Sequence, residues 1–256
     1  MTAVPFTLSH LAAVIPVARG PLVPSALAAG AMSPDLLYFV LLRPGGREAT
    51  HSAWGIVAID LPLALLALAV FRLLLLEPLV SLAPAAVRTR VAPLCGPPRL
   101  SWRGALAVVV SVLLGALTHV VWDAFTHAGG WGVELVPALT TGVAEGIPAF
   151  KIAQWTSSAL GGLAVLIWSG RWLLRAPAGP VPERFTPPAR PALLAGAVVL
   201  GAAAVAVVSV AISTQGGFHA SLVRATIGAM TGAVLALAGY GLLRRTVGTR
   251  AGRPAT

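Results

Sequence analysis

Apolar residues run in blocks along this chain. Five blocks, 53–76, 104–126, 155–174, 192–213 and 222–243, have the length to cross a bilayer, since about 30 Å of hydrocarbon takes roughly 20 helical residues. Two shorter apolar pieces precede them, 7–18 and 22–42, and "SPD" at Ser33–Asp35 interrupts the second. A proline and a carboxylate there predict a broken or re-entrant helix, tolerable at membrane depth only where protein or water covers the freed polar groups. The pattern predicts an all-α, polytopic integral membrane helix bundle with about five full spans plus two N-terminal short or re-entrant helices. The chain divides into a membrane domain at 1–175, a Pro/Arg-rich linker at 176–191, a two-helix membrane segment at 192–246 and a disordered tail at 247–256. The alanine-rich stretch at 192–213 carries no polar chemistry, and its small residues predict close helix packing.

Composition agrees: 57% of the 256 residues are hydrophobic and 10% charged, with a mean hydropathy of +0.87, whereas a soluble domain is about 45–50% apolar. The net charge of +10 resides in 17 arginines and Lys151. These arginines fall in short connections between apolar blocks, which points to membrane lipid as the partner and excludes a nucleic-acid reading. Loop 77–103 carries Arg88, Arg90, Arg99 and Arg103. Loop 174–191 carries Arg175, Arg184 and Arg190, and the tail carries Arg244, Arg245, Arg250 and Arg253. The positive-inside rule places these three segments, and hence the C-terminus, in the cytoplasm of a cell inner-membrane protein. Segments 127–154 and 214–221 then lie outside. Arg43 and Arg47 run against the rule. The first arginine is Arg19, so the N-terminus lacks the positive region of a signal peptide and is expected to stay in the mature protein. A single cysteine, Cys95, allows neither an internal disulfide nor a cysteine-rich metal site.

Against this background "HVVWDAFTH" is out of place. His119, Asp123 and His127 follow one another at intervals of four, so on a helix they share about 80° of arc. Imidazole and carboxylate on adjacent turns is a way for a helix to hold a divalent metal. Such groups are costly in lipid unless they face partners or a polar cavity. The charge pattern makes block 53–76 begin and block 104–126 end on the outer side, so His51 of "THSAWG" arrives at the same depth. Asp35 and His10, in "SPDLLYF" and "PFTLSHLAAVIP", complete the set. Each has a plainer reading: Thr50 as a helix cap, Ser33 or Asp35 as a cap after Pro34, His10 as a hydrogen-bonded histidine. Asp60, nine residues after His51 and 180° round a common helix, is set aside as an interhelical hydrogen-bond partner. Four of the five histidines and two of the eight acidic residues nevertheless fall in these motifs.

"PFTLSHLAAVIPV", "LVPSALAAGAMSPDLLYF", "THSAWG", "GALTHVVWDAFTH" and "QWTSSALGG" resemble the motifs of bacterial membrane family of unknown function 4184 over most of 1–175. More distantly the pattern resembles inner-membrane proteins grouped as metal-dependent hydrolases, and its helical His/Asp arrangement is similar to that of zinc-dependent phospholipases C. The resemblance implies His10, Asp35, His51, His119 and Asp123 as metal ligands. His127 would be a sixth or an orienting neighbour. Gln154, Ser157 and Ser158 line a cavity or bond between helices. A cysteine-free set suits zinc first, manganese or iron otherwise. The expectation is a metal-dependent hydrolase at the extracytoplasmic membrane surface acting on a lipid-linked phosphoester, with Asp35 or Asp123 as base if it is not a ligand. The alternative is a non-enzymatic protein: a metal or proton transporter, a metal-stapled bundle or an accessory subunit.

Overall fold

The computed structural model describes residues 7–42, 45–96, 101–143, 146–188, 191–212 and 217–251, and these are all-helical apart from one isolated bridge, Gly142–Pro148. Arg43, Arg99, Glu145, Arg190, Arg253 and the side chain of Arg250 lie outside what is described. A 3-10 turn, Thr7–His10, leads into α1 (Leu11–Val14). The piece at 22–42 is a broken helix: α2 (Pro24–Met32), a 3-10 turn Ser33–Asp35, then α3 (Leu36–Leu41). After α4 (Arg47–Thr50) come α5 (Ala53–Leu82), α6 (Ala85–Val91), α7 (Trp102–Thr126) and α8 (Trp131–Leu135). The order closes with α9 (Ala149–Arg175), α10 (Pro191–Ala211) and α11 (Phe218–Ala251).

Among the described residues, four helices are long and apolar enough to cross a membrane: Ala53–Leu82, Trp102–Thr126, Pro191–Ala211 and Phe218–Thr246. Their outward faces leave Leu66, Leu117, Leu200 and Leu235 exposed, as a lipid-facing surface does. The fifth expected span lies within the 27-residue α9, but that helix is not among the four; it carries Lys151, Gln154, Arg171 and Arg175. Helix α11 runs on to Ala251, past the expected start of the tail; 252–256 are outside the described residues.

Helix α5 contains two π-helical stretches, Ile56–Asp60 and Phe71–Leu75. Each lies just before a proline, Pro62 and Pro78. A proline lacks the N–H for the carbonyl four residues back and crowds it, and a wider turn relieves both.

Helices α2 and α7 are pressed backbone to backbone. A Cβ on Gly30 would collide with the Val112 carbonyl, and one on Gly115 with the Leu27 carbonyl and the Ala31 amide. Small residues permit this approach, which lipid alone does not drive. The same device joins α10 to α11, where Gly232 abuts the Gly201 carbonyl, as the alanine-rich composition predicts. That hairpin packs Val223 and Ile227 on Tyr38 of α3. At the far end of α5 the Pro/Arg-rich segment is docked: Phe185 is buried with Val80 and Ala92, the Gly179 amide donates to the Thr89 carbonyl, and Arg184 donates to the Cys95 carbonyl. The described parts of segments 77–103 and 174–191 thus meet at one end of the bundle, where Arg244 also pairs with Glu77 at 3.1 Å, while Arg47, the start of α5 and the end of α7 lie at the other.

Candidate metal centre

At that other end the turn that carries His10, the segment that carries Arg47 and His51, and the end of α7 converge on Asp123, and Asp35 joins the same cluster through His119. The last two turns of α7 carry His119 and Asp123, both buried. His119 Nδ1 lies 2.7 Å from the Ala31 carbonyl. A carbonyl only accepts, so Nδ1 donates to it and Nε2 is the ring nitrogen turned inward, the orientation a metal-binding imidazole receives from such a partner. The close contact at Gly115, one turn earlier, is what brings Ala31 within reach.

His119 Nε2 faces Asp35 Oδ1 at 3.8 Å and Asp123 Oδ2 at 3.6 Å. Asp35 does not cap α3. Its Oδ2 accepts the Thr7 hydroxyl at 2.6 Å and its Oδ1 has no hydrogen-bond partner. Ser33 also leaves the cap, donating back to the Gly30 carbonyl. The 3-10 turn before α1 stacks His10 on His119, with ring centroids 3.8 Å apart and planes 16° from parallel, and sets His10 Nε2 3.4 Å from Asp123 Oδ1.

His51 lies before α5, not on it. Ser52 caps that helix by accepting the Gly55 amide at 2.9 Å, so Thr50 is not the cap. The Thr50 hydroxyl instead takes the proton of His51 Nδ1 at 3.0 Å. His51 Nε2 then accepts from Arg47 Nη1 at 3.0 Å, and that same nitrogen donates to Asp123 Oδ2 at 2.5 Å; Nε2 to Oδ2 is 3.1 Å. Arg47, read from sequence only as a charge on the wrong side, is therefore part of the site. Its spacing of four from His51 was the available signal.

His127 is the extended C-cap residue of α7. Lys151 Nζ donates to Gln154 Oε1 at 2.6 Å, which fixes the amide orientation, so Gln154 Nε2 donates to His127 Nε2 at 2.5 Å. His127 Nδ1 is then the protonated nitrogen; it donates to the Thr126 hydroxyl at 3.2 Å, which itself donates to the Trp122 carbonyl, and it lies 3.4 Å from Asp123 Oδ1. Ser157 accepts from the Trp122 indole, an interhelical bond, and Ser158 lines a groove on α9 with Leu163 and Leu166.

Among the described residues, His10 Nδ1, Asp35 Oδ1, His119 Nε2 and Asp123 Oδ1 are buried without a hydrogen-bond partner. Two trios bring ligand atoms within 4.8 Å of one another: His10, His119, Asp123 and Asp35, His51, His119. The edge of a zinc tetrahedron is about 3.3 Å, given bonds of about 2.0–2.1 Å, so small side-chain movements close either trio. The donor set, imidazole and carboxylate without thiolate, fits a divalent cation. His127 belongs to neither trio. Asp60 is fully buried with both oxygens unpartnered, and it lies within electrostatic reach of His119 and Asp35. Its exclusion rested on sharing a regular helix with His51, and no such helix exists.

Burial, reinforced by His119, pushes His10 down to about 3; burial likewise puts His127 at about 4 and lowers His51. All three are neutral at pH 7. Unfolded, they titrate near 6.5, so the stability they contribute is complete above that pH and is lost as pH falls toward 4. The thermal midpoint in detergent is expected to fall steadily below about pH 6.5, and less steeply in His127→Gln. A midpoint flat from pH 7 to pH 4 would contradict buried neutral imidazoles.

Comparison with curated proteins and with solved structures gives no match. A family model, "Domain of unknown function (DUF4184)", matches residues 4–242, which carries the resemblance past Arg175, through α10 and over most of α11. The chain belongs to the DUF4184 family.

Proposed function

We propose that this protein is a metal-dependent hydrolase at the extracytoplasmic surface of the inner membrane, acting on a lipid-linked phosphoester. One observation carries the reading: four buried atoms of one cluster, His10 Nδ1, Asp35 Oδ1, His119 Nε2 and Asp123 Oδ1, have no hydrogen-bond partner, and two His/Asp trios bring ligand atoms within 4.8 Å of one another. Lone pairs at such distances repel unless a cation stands among them. His10, Asp35, His51, His119 and Asp123 are the residues to hold it, with Ala31, Thr7, Thr50 and Gln154 orienting them or His127. A divalent ion, zinc first, supplies Lewis acidity toward water and a phosphoryl oxygen. Asp35 or Asp123, whichever does not bind the ion, is the carboxylate to take a proton from water. The meeting of the Arg-bearing segments 77–103 and 174–191 at the opposite end supports the outward orientation.

An ion path is less well supported. In the first half of α7, Ser111 donates to the Ala107 carbonyl at 2.6 Å and accepts the Val23 amide at 2.9 Å, so its hydroxyl is occupied.

The test is a phosphoester screen on metal-reconstituted protein. Chelator-sensitive cleavage of phosphomonoesters or phosphodiesters, absent in His119→Ala, is expected. Stoichiometric metal with no cleavage of either class would sink the hydrolase and leave a metal-stapled bundle.

A further inference from the structure

The geometry points to a second component of the site: the cavity lined by Arg47, Glu48, His51, Ala128, Gly130 and Trp131 is a phosphoryl-anion site whose binding residue is Arg47. It deepens the hydrolase reading by locating its substrate's phosphoryl group, and it rests on that reading only for the neighbouring metal.

The cavity has a volume of about 490 Å3 and is half-open. It lies on the Val120 and Ala124 flank of α7, beside the face that carries His119 and Asp123. His51 forms part of its wall, so the cavity borders the cluster. Its outer wall is backbone: Gly129 has a φ of +72°, and a Cβ on Gly130 would strike the Ala124 carbonyl. The loop after α7 thereby hugs the helix without filling the space.

Arg47 is the reason to assign an anion. Its Nη1 is anchored to Asp123 and His51. A guanidinium carries five N–H donors in a planar fork, more than these two partners use. The remainder suit bidentate recognition of a phosphoryl group. The anchoring would hold that group next to the carboxylate at the centre of the cluster. Glu48, exposed at the same cavity, opposes an anion and tunes its affinity.

A phosphoryl group comes from a soluble phosphomonoester or from a lipid headgroup. On the opposite flank of α7 His10 walls a second cavity of about 400 Å3, lined chiefly by apolar residues such as Ala13, Trp122 and Leu160. That gives the lipid source room for a chain, so both sources enter the test.

The experiment measures binding of glycerol 1-phosphate to zinc-loaded, nanodisc-reconstituted protein by calorimetry, alongside zinc content. Arg47→Gln is expected to weaken binding about 10- to 100-fold, the scale of charge-assisted hydrogen bonds, while keeping its zinc. Arg47→Lys, which retains charge without the fork, falls between, and Glu48→Gln binds about two- to threefold tighter. Competition by phosphatidate in the nanodisc assigns the anion to a lipid headgroup, and its failure assigns a soluble phosphate. Zinc retained with equal affinities in wild type and Arg47→Gln, or with no binding in either, overturns the anion site alone. Arg47-dependent binding to a protein that takes up no zinc overturns the hydrolase reading and leaves the anion site standing.

Discussion

His119→Ala is expected to abolish stoichiometric divalent-metal binding. His119 is the residue shared by both ligand trios, and it is fully buried with its proton committed to the Ala31 carbonyl. Removing a residue that merely orients a ligand costs about 10- to 100-fold in metal affinity, so loss of a shared ligand is expected to exceed about 100-fold. Metal content after dialysis, by mass spectrometry, would fall from about one ion per chain to background. The fold is expected to tolerate the change better than it tolerates Asp123→Ala. Truncating His119 removes a lone pair from among other lone pairs, whereas truncating Asp123 strips Arg47 of its carboxylate and leaves a half-buried charge uncompensated. Metal content in His119→Ala equal to wild type would show that the cluster is a hydrogen-bonded polar seam.

Gly115→Leu is expected to cause the largest loss of stability from a single substitution remote from Asp123. Its first side-chain atom would meet the Leu27 carbonyl, the Ala31 amide at 2.7 Å and the Gly30 carbonyl carbon at 3.1 Å. These are backbone atoms that no rotamer change moves, so α2 and α7 must separate. Overpacking commonly costs about 1–3 kcal/mol, and a collision with backbone along two helices belongs at or above the upper end. The consequence reaches the site, because the Ala31 carbonyl that orients His119 moves with α2. Thermal unfolding in detergent, followed with and without zinc, would show a lowered midpoint and a diminished zinc-dependent rise. A midpoint unchanged from wild type would mean that the two backbones do not approach as described. Gly129→Ala, at a position with open space but a φ of +72°, provides a strained comparison away from this interface.

Much of this was legible in the sequence, for identifiable reasons. Hydrophobic blocks separated by arginines carry topology, and topology alone predicted that His51 and the end of α7 share one depth; their side chains meet at 3.1 Å. The break at Ser33–Asp35 was legible because a proline and a carboxylate interrupt an apolar run. What escaped depended on turns of a few residues. Arg47 looked like an orientation anomaly because the four-residue α4 that presents it has no periodicity to read. Thr50 and Ser52 are equally good caps on paper, and only the path of the chain gives the cap to Ser52 and His51's proton to Thr50. His127 was placed on the α7 face by a periodicity that ends one residue too early, so it meets Asp123 from an extended cap and meets Gln154 behind it. Asp60, set aside as an interhelical hydrogen-bond partner, joins neither trio and has both oxygens unpartnered, and 100° per residue does not hold through its π-helical stretch. The closeness of α2 and α7 rests on Gly30 and Gly115, which are ordinary glycines in a chain that has 27.

The most direct measurement of the central claim is X-ray absorption at the zinc edge on zinc-reconstituted wild-type protein. A cation held by His10, His51, His119 and the two carboxylates predicts a shell of nitrogen and oxygen only, at about 2.0–2.1 Å, with the outer scattering of imidazole rings. A sulfur shell at about 2.3 Å would place the metal on Cys95, and a folded protein that retains no zinc would show that these histidines and aspartates do not form a metal centre.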